Sequence, residues 1–403
     1  MFGTLGLLAA FIALITLRIK GVKFYYALFA ASIIIGVSSG EGWIFLLEVL
    51  HETAISRSAL NLVPSVVLIS VLGLVLKETG LLTGFIDELG KILPGSAVIA
   101  SIPALFGFLS MPGGALMSAP FIEGEADRLG LSPEGKTFYN VWFRHLLYWI
   151  NPITSSTLLA TTLSGFTVSE WLGVQSPLFL VMVFIGVLFG RGYITRTRGS
   201  PGRKEIELKR LRGVFPIVLT VALTLLRVPV WLSLLTGILS AFALGGVEAR
   251  KAFRLFKTGL NWELALTVFS MLYLRDVIET TDSMAVFLGS VIEAGIPWLL
   301  VIIILPLLVG SISGSPAMGV GVSFPILLPL LGPPNIHLVS VIFLGITCAY
   351  ISSPLHLCLV LSNNYFKSDL RSVIRRLAPS CLILYLIGIT YHLGAYLLSG
   401  GTL

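Results

Sequence analysis

Charged side chains are scarce in this sequence, since Asp, Glu, Lys and Arg together make up only 12% of its 403 residues. Soluble domains carry about 25% of these residues, so a large soluble fold would lack the polar surface that it needs. Hydrophobic residues account for 56% of the chain, and apolar runs of the roughly 20 residues that cross a bilayer recur along its length. The composition therefore predicts an all-α polytopic membrane protein.

Cysteine is also rare. The chain has three cysteines, Cys348, Cys358 and Cys381, which lie in or near apolar segments and cannot all be paired. None has the spacing to a histidine or to another cysteine that is typical of a metal site. We interpret them as small apolar residues with reduced thiols, and we expect no bound metal.

The motifs of soluble enzymes are missing. The sequence contains no glycine-rich phosphate loop, no His-Glu-x-x-His and no Gly-x-Ser-x-Gly, so we expect neither an enzyme nor a cofactor. The net charge of +7 arises in short segments between apolar runs. Because nucleic-acid binding needs a contiguous basic face, we expect no nucleic-acid partner.

Two apolar segments are interrupted near their middles. Residues 99–122 contain Ser110-Met111-Pro112-Gly113-Gly114, and residues 298–331 contain Ser311-Ile312-Ser313-Gly314-Ser315-Pro316. Proline removes a helix hydrogen bond, and glycine permits a reversal of the chain. We predict that both segments are re-entrant hairpins, which enter and leave the membrane on the same side.

Two longer apolar segments, residues 138–163 and 337–361, are predicted to be broken helices. Asn151-Pro152 interrupts the first and Ser353-Pro354 the second, 40 and 38 residues beyond the prolines of the hairpin tips. The same breaks in the same order at nearly equal spacing indicate an internal repeat. We predict a first repeat over residues 1–190, a basic linker over residues 191–212 and a second repeat over residues 213–403.

Charge predicts how the chain crosses the membrane. The linker carries eight basic and two acidic residues, which places it in the cytoplasm under the positive-inside rule. About five crossings in each repeat then turn the second repeat upside down relative to the first. We predict a multi-pass protein of the cytoplasmic (inner) membrane with both termini outside. The predicted crossings are residues 2–17, 24–37, 61–76, 138–163, 177–189, 214–226, 230–244, 262–274, 337–361 and 381–398.

The hairpin tips and helix breaks are the predicted binding site. Unwound backbone within a membrane is tolerated only where it is buried in protein or lines a polar cavity. The N–H groups freed at helix starts suit an anion, because the helix dipole lies behind them, and freed carbonyls suit a cation. The predicted substrate-binding residues at these places are Ser110, Pro112, Gly113, Gly114, Asn151, Thr154, Ser155, Ser156, Ser313, Gly314, Ser315, Pro316, Ser352 and Ser353.

These motifs resemble those of the ion-transporter superfamily, which includes divalent-anion/sodium symporters, gluconate and citrate permeases and arsenite permeases. Over essentially its whole length the chain looks most like a membrane family within it, domain of unknown function 401. The resemblance implies an elevator-type carrier whose moving domain holds both hairpins and both broken helices. The Ser-Asn-Thr triplets of the dicarboxylate symporters are replaced by Ser110-Met111-Pro112 and Ser313-Gly314-Ser315. This difference argues against sodium coupling and carboxylate binding.

Arg144, His145 and His356 are ionisable residues within the broken helices, where such residues are costly unless they have a function. Arg144 either pairs with an anionic substrate or extends to the cytoplasmic interface, and the sequence leaves both interpretations open. His145 and His356 are candidates for ion coupling, because histidine titrates near physiological pH. A structural hydrogen bond is the alternative role for His356. We favour H+ over Na+ as the coupling ion.

The leading hypothesis is a secondary active transporter for a small organic or inorganic anion, which acts as a homodimer in the lipid bilayer. A flippase for a lipid or lipid-phosphate is the alternative, and a lateral opening lined by Arg144 would favour it. An intramembrane enzyme would need paired ionisable residues at one depth, whereas the sequence offers scattered single ones. A passive channel would not need two inverted hairpins.

Cysteine labelling tests this topology. In a background without the native cysteines, Ser200→Cys should react only with reagent on the cytoplasmic side and Thr402→Cys only from outside, because an odd number of crossings separates the two positions. Labelling of both positions from the same face would contradict the inverted arrangement.

Overall fold

The computed structural model describes residues 2–108, 114–194, 206–281 and 295–401. All regular structure within these ranges is helical, and no β-strand occurs in them. Helices satisfy their backbone N–H and C=O groups internally, which an apolar medium requires. The prediction of an all-α protein is confirmed.

The first half of the chain forms ten α-helices in the residues that the structure describes. They are α1 (Phe2–Ile19), α2 (Phe24–Ser38), α3 (Gly42–Ile55), α4 (Arg57–Glu78), α5 (Leu81–Ile92), α6 (Gly95–Phe108), α7 (Gly114–Arg128), α8 (Pro133–Trp142), α9 (Ser155–Ser164) and α10 (Val168–Gly190). A 3-10 helix, Phe143–Trp149, continues α8 up to the break.

The second half forms a further ten α-helices in the described residues. They are α11 (Leu208–Leu211), α12 (Phe215–Leu225), α13 (Val230–Leu244), α14 (Ala249–Gly259), α15 (Trp262–Thr280), α16 (Trp298–Ile312), α17 (Pro316–Leu327), α18 (Ile336–Ser352), α19 (Leu357–Phe366) and α20 (Leu370–Leu398). A 3-10 turn, Leu328–Leu331, extends α17.

The helices indicate a membrane-embedded protein. Four helical stretches in the described ranges are long and apolar enough to cross a bilayer: Arg57–Glu78, Val168–Tyr193, Ile336–Phe366 and Leu370–Leu398. Other predicted crossings are shorter. The one at residues 214–226 contains α12, whose 11 residues cover only about 16 Å of a hydrocarbon core roughly 30 Å thick. The turns around α12 must complete that crossing.

The order of elements is the same in the two halves. Each half has a packed helix pair (α1–α2, α12–α13), a short helix (α3, α14) and a long helix (α4, α15). A helix–turn–helix (α6–α7, α16–α17), an interrupted helix (α8–α9, α18–α19) and a long final helix (α10, α20) follow. The final helices also start alike, because side-chain oxygens of Thr167 and Asp369 accept the first backbone N–H groups.

A Pro-x-x-x-Gly pattern recurs in the first arm of each helix–turn–helix. It consists of Pro103 and Gly107 in α6 and of Pro306 and Gly310 in α16. A Cβ atom on Gly107 would overlap the carbonyl group of Arg144, and one on Gly310 would overlap the backbone of Ile346. Glycine therefore lets each first arm lie directly against the interrupted helix of its own half.

The two halves exchange equivalent contacts. α2 packs on α15, and its counterpart α13 packs on α4. α3 contacts α15, whereas α14 contacts α4. The second arms of the helix–turn–helix units do the same, since α17 packs on α9 and α7 packs on α19. A two-fold axis between the halves would produce this pattern.

By their contacts the helices form two groups. α1–α4 pack with α12–α15, and we call these helices the frame. α6–α10 pack with α16–α20, and we call these helices the hairpin group. The two groups meet chiefly where α15 contacts α17 and where α4 contacts α9, and α5 connects them along the chain.

The contact between the frame and the hairpin group is largely apolar, although Arg275 and Glu279 of α15 line a small cavity beside α9 and α17. A narrow gap beside α17 is lined only by apolar side chains from α1, α2, α15 and α17, and Gly321 lies against the side chain of Met271. Within the described ranges, no side-chain hydrogen bond or ion pair joins a frame helix to a helix of the hairpin group. Burial of apolar surface therefore stabilises this interface. Because this force is non-directional, it does not fix the hairpin group at one position along the frame.

Candidate functional site

The first helix break is held by Asn151, which is fully buried. Its side-chain amide donates to the carbonyl of Phe108, the last residue of α6, at 2.8 Å. Its side-chain oxygen accepts from the backbone N–H of Ile153 at 3.1 Å, across Pro152. The Asn151 side chain thus supplies hydrogen-bond partners to one backbone carbonyl of the hairpin arm and one backbone N–H of the unwound segment. Because these groups are satisfied, the helix can be broken in a buried position.

Ser353 performs the same task in the second break. Its hydroxyl donates to the carbonyl of Ser311, near the end of α16, at 2.6 Å. It accepts from the backbone N–H of Leu355 at 3.1 Å, across Pro354. Each break is therefore tied to the first arm of the hairpin in its own half.

Two of the helices that start at these breaks and tips are capped by predicted site residues. Thr154 accepts from the N–H of Thr157 at the start of α9, at 3.1 Å. Ser315 accepts from the N–H of Met318 at the start of α17, at 3.2 Å. Gly314, just before Ser315, has φ of 72°, a conformation that disfavours side chains.

The four helices that start at the hairpin tips and breaks run side by side in two parallel pairs, α7 with α19 and α9 with α17. The Tyr365 hydroxyl of α19 donates to Glu123 of α7 at 2.9 Å, and both residues lie eight or nine positions beyond their helix starts. The ends of α9 and α17 share a small cavity lined by Ser164 and Pro325. The start of α7 therefore lies beside that of α19, and the start of α9 beside that of α17.

The two pairs extend in opposite directions. α8 begins where α19 ends, because Thr137 is hydrogen-bonded to Ser368 at 2.8 Å and Glu134 accepts from the N–H of Asp369 at 3.2 Å. α8 returns from that end to the break at Asn151, and α9 continues to the opposite end. Four helix N-termini, two from each direction, thus converge at the depth of the breaks, and each carries a partial positive charge.

A basic and aromatic cluster adjoins the breaks. The rings of His145 and His356 make an edge contact with centroids 4.6 Å apart. Tyr350 lies against His356 at 4.1 Å, and Tyr148 lies against His145 at 5.0 Å. Both histidines are fully buried and Arg144 is only 4% exposed, so Arg144 does not extend to the surface. The expectation of scattered single ionisable groups was wrong, because folding pairs His145 with His356.

The cluster breaks the symmetry of the two halves. Gly107 and Gly310 mark Arg144 and Ile346 as equivalent positions, because each glycine packs on one of these backbones. The next positions, His145 and Thr347, are then equivalent as well. His356 lies three residues after Ser353, and Thr154 lies three residues after Asn151, so these two positions are equivalent as well. By the same count Tyr148 and Tyr350 are equivalent. The tyrosines therefore follow the repeat, whereas Arg144, His145 and His356 each lack a basic counterpart in the other half.

A cavity of about 440 Å³ lies at the second hairpin tip, between the frame and the hairpin group. Ser313, Gly314 and Leu355 line it from the hairpin group, and Phe11 and Phe24 line it from the frame. A lateral groove of about 710 Å³ beside α6 and α10 is mostly apolar and ends at Arg191. Arg144 is not among the residues that line this groove, so the opening that would favour a flippase is not observed there.

The remaining predicted residues divide by position. Ser110, Pro112 and Gly113 lie outside the described residues, and Gly114 is the first residue of α7. Ser155 and buried Ser156 begin α9, and Pro316 begins α17. Ser352 donates to carbonyls of its own helix and also interacts with the Cys381 thiol. Sequence reasoning missed Tyr148, Tyr350 and Cys358, although the His356-x-Cys358 spacing could have indicated the last.

Comparison with known proteins identifies one family. The family model described as "Protein of unknown function (DUF401)" matches residues 4–397, nearly the whole chain. None of the curated proteins matches this chain.

The bond from Ser353 to the hairpin can be tested against its neighbour. Ser353→Ala should lower the free energy of unfolding by about 1–3 kcal/mol, because it leaves the partly buried carbonyl of Ser311 and the N–H of Leu355 without this partner. Ser352→Ala is the matched control and should change it by less than about 0.5 kcal/mol. Denaturant or thermal unfolding of the purified variants measures both, and equal effects would mean that Ser353 does not hold the break.

Proposed function

We propose that this chain, which belongs to the DUF401 family, is a secondary active transporter that moves a small organic or inorganic anion across the cytoplasmic membrane. The convergence of four helix N-termini at one depth is the observation that carries the proposal. Each N-terminus is equivalent to roughly half a positive charge. Apart from the N–H groups that Thr154 and Ser315 cap, the first turns leave N–H groups available to a ligand. Buried Arg144 adds a full positive charge beside them.

An elevator-type movement fits the way in which the helices are grouped. The hairpin group holds both hairpins and both broken helices, and it meets the frame through apolar side chains. Because no polar bond between described residues crosses this interface, sliding would break none. Within the hairpin group, by contrast, buried Asn140 links α7, α8 and α19 through Ser118 and Ser362. Such a body can move as a unit.

The inverted topology is supported by which residues meet. Lys23 pairs with Glu263 at 3.3 Å, and Glu123 meets Tyr365; the charge-based topology places all four on the cytoplasmic side. Thr53 donates to Asp276 at 2.6 Å, and both are assigned to the outside. If either half had one crossing more or one fewer, these contacts would join residues on opposite sides of the membrane.

We assign coupling to H+, with Na+ as the alternative. His145 and His356 lie in ring contact at the breaks, so one proton shared between them would change the charge next to the anion. Hydroxyls of Ser313 and Ser353 already bond to backbone carbonyls, and a sodium site would have to displace these bonds. No cofactor is required, and we expect a homodimer.

The flippase hypothesis is less well supported. It requires Arg144 to face a lateral opening, whereas Arg144 is buried inside the hairpin group. The cavity at the second hairpin tip lies between the two groups, where an elevator would load a solute.

Thermal stabilisation and reconstituted transport test the proposal together. Phosphate, sulfate, succinate, citrate and gluconate are screened for an increase in the Tm of the purified protein, with and without sodium. An anion at 100 times its Kd should stabilise the native state by about 2.7 kcal/mol. In proteoliposomes, a proton gradient without sodium should then drive its accumulation.

His356→Gln should keep the anion-dependent increase in Tm but lose proton-driven accumulation, because glutamine cannot carry the proton. His392→Gln is the control, since His392 is a buried histidine near the other end of α18, beside His337. Uptake that needs sodium and ignores His356→Gln would refute proton coupling. Stabilisation by none of the anions would refute the anion site.

A further inference from the structure

His145, His356 and Cys358 bring three potential metal ligands together. One ligand atom from each residue lies within 4.8 Å of the other two. The histidines come from different halves of the chain, at the 3-10 helix before the first break and at the residue before α19. The sequence places only His356 and Cys358 near each other, and folding adds His145 to this pair.

Both imidazoles are held in the tautomer that a metal ligand needs. Nδ1 of His145 lies 2.6 Å from the carbonyl oxygen of Val141, and Nδ1 of His356 lies 3.2 Å from that of Ile351. A carbonyl can only accept, so each Nδ1 carries the hydrogen and each Nε2 presents a lone pair. Metal-bound histidines usually have such a carbonyl partner.

The two Nε2 atoms are buried and have no hydrogen-bond partner among the residues that the structure describes. A buried polar atom without a partner is uncommon and calls for an explanation such as an ion. We propose that His145, His356 and Cys358 bind a thiophilic d-block cation, Zn2+ or Cu+, through the two Nε2 atoms and the Cys358 Sγ.

The ligand set selects the type of metal. Imidazole and thiolate suit Zn2+ and Cu+, whereas Mg2+ and Ca2+ need oxygen ligands. Zn–N and Zn–S bonds of about 2.1 and 2.3 Å require the ligand atoms to move closer by roughly 1 Å. Cys358 is only partly buried, which gives the ion access and lets this side chain adjust.

Charge distinguishes the two ions. Arg144 acts electrostatically on both histidines, and Tyr148 and Tyr350 face them from the other sides. Binding releases the Cys358 proton, so a Cu+ thiolate adds no net charge beside Arg144, whereas a Zn2+ thiolate adds one positive charge. We therefore expect Cu+ to bind more tightly than Zn2+ in this buried cluster.

The test is a metal titration of the chelator-stripped, detergent-purified protein. Zn2+ is titrated against a chromophoric chelator, and Cu+ is titrated in the same way under anaerobic, reducing conditions. The expected result is one ion per chain, with affinity that falls as the pH is lowered because protons compete for the thiolate and both imidazoles. His356→Gln and Cys358→Ser should each weaken binding by about tenfold or more.

Matched controls separate this site from others in the chain. His392→Gln changes a histidine of the His337–His392 pair, and Cys381→Ser changes a buried thiol; neither should alter the affinity. Co2+ should give a sulfur-to-metal charge-transfer band that Cys358→Ser abolishes. Absence of stoichiometric binding, or binding unchanged in His356→Gln and Cys358→Ser, would overturn the assignment. Metal binding requires no transport, so this proposal and the transporter proposal can fail separately.

Discussion

The structure depends on one constraint: a helix broken inside an apolar environment must find partners for the backbone groups that the break frees. Asn151 and Ser353 meet it with the same pair of bonds, one across the following proline and one to the hairpin arm. Because one bond of each pair joins the break to the hairpin arm, hairpin and break are fixed together. α7 packs on α19 of the second half, and α17 packs on α9 of the first half. These contacts bring the N-termini of the four helices to one depth.

On this repeated backbone the chemistry is asymmetric. Arg144 and His145 stand where the second half has Ile346 and Thr347, and His356 stands where the first half has Thr154. A symmetric scaffold supplies the cavity and the helix dipoles, and the asymmetric residues supply charge and titration. In our account the dipoles attract the anion, and the histidine pair adjusts the local charge. The same pair, with Cys358, has the ligand chemistry of a metal site.

The sequence signal for an interruption was a cluster of proline, glycine, asparagine and serine in an apolar run, since single prolines such as Pro64 and Pro177 lie inside unbroken helices. The second hairpin turns at Ser313–Ser315 and the helices break at Asn151 and Ser353, as those residues indicated. The sequence could not predict the contact of His145 with His356, since hydropathy does not reveal which helices of two halves interdigitate. Hydropathy also did not reveal the division into frame and hairpin group, because helices of both groups are similarly apolar. Only the resemblance to the ion-transporter superfamily implied it.

The proposed movement of the hairpin group against the frame is tested most directly by a disulfide that links the two. Met271 of α15 lies against Gly321 of α17, so Met271→Cys with Gly321→Cys should form a disulfide on oxidation. The account predicts that the oxidised double variant still binds the anion in a thermal-shift assay but does not transport it in proteoliposomes. Reduction should restore transport, and the single variants should be unaffected by oxidation. Transport at the uncrosslinked rate by the disulfide-linked protein would contradict the account.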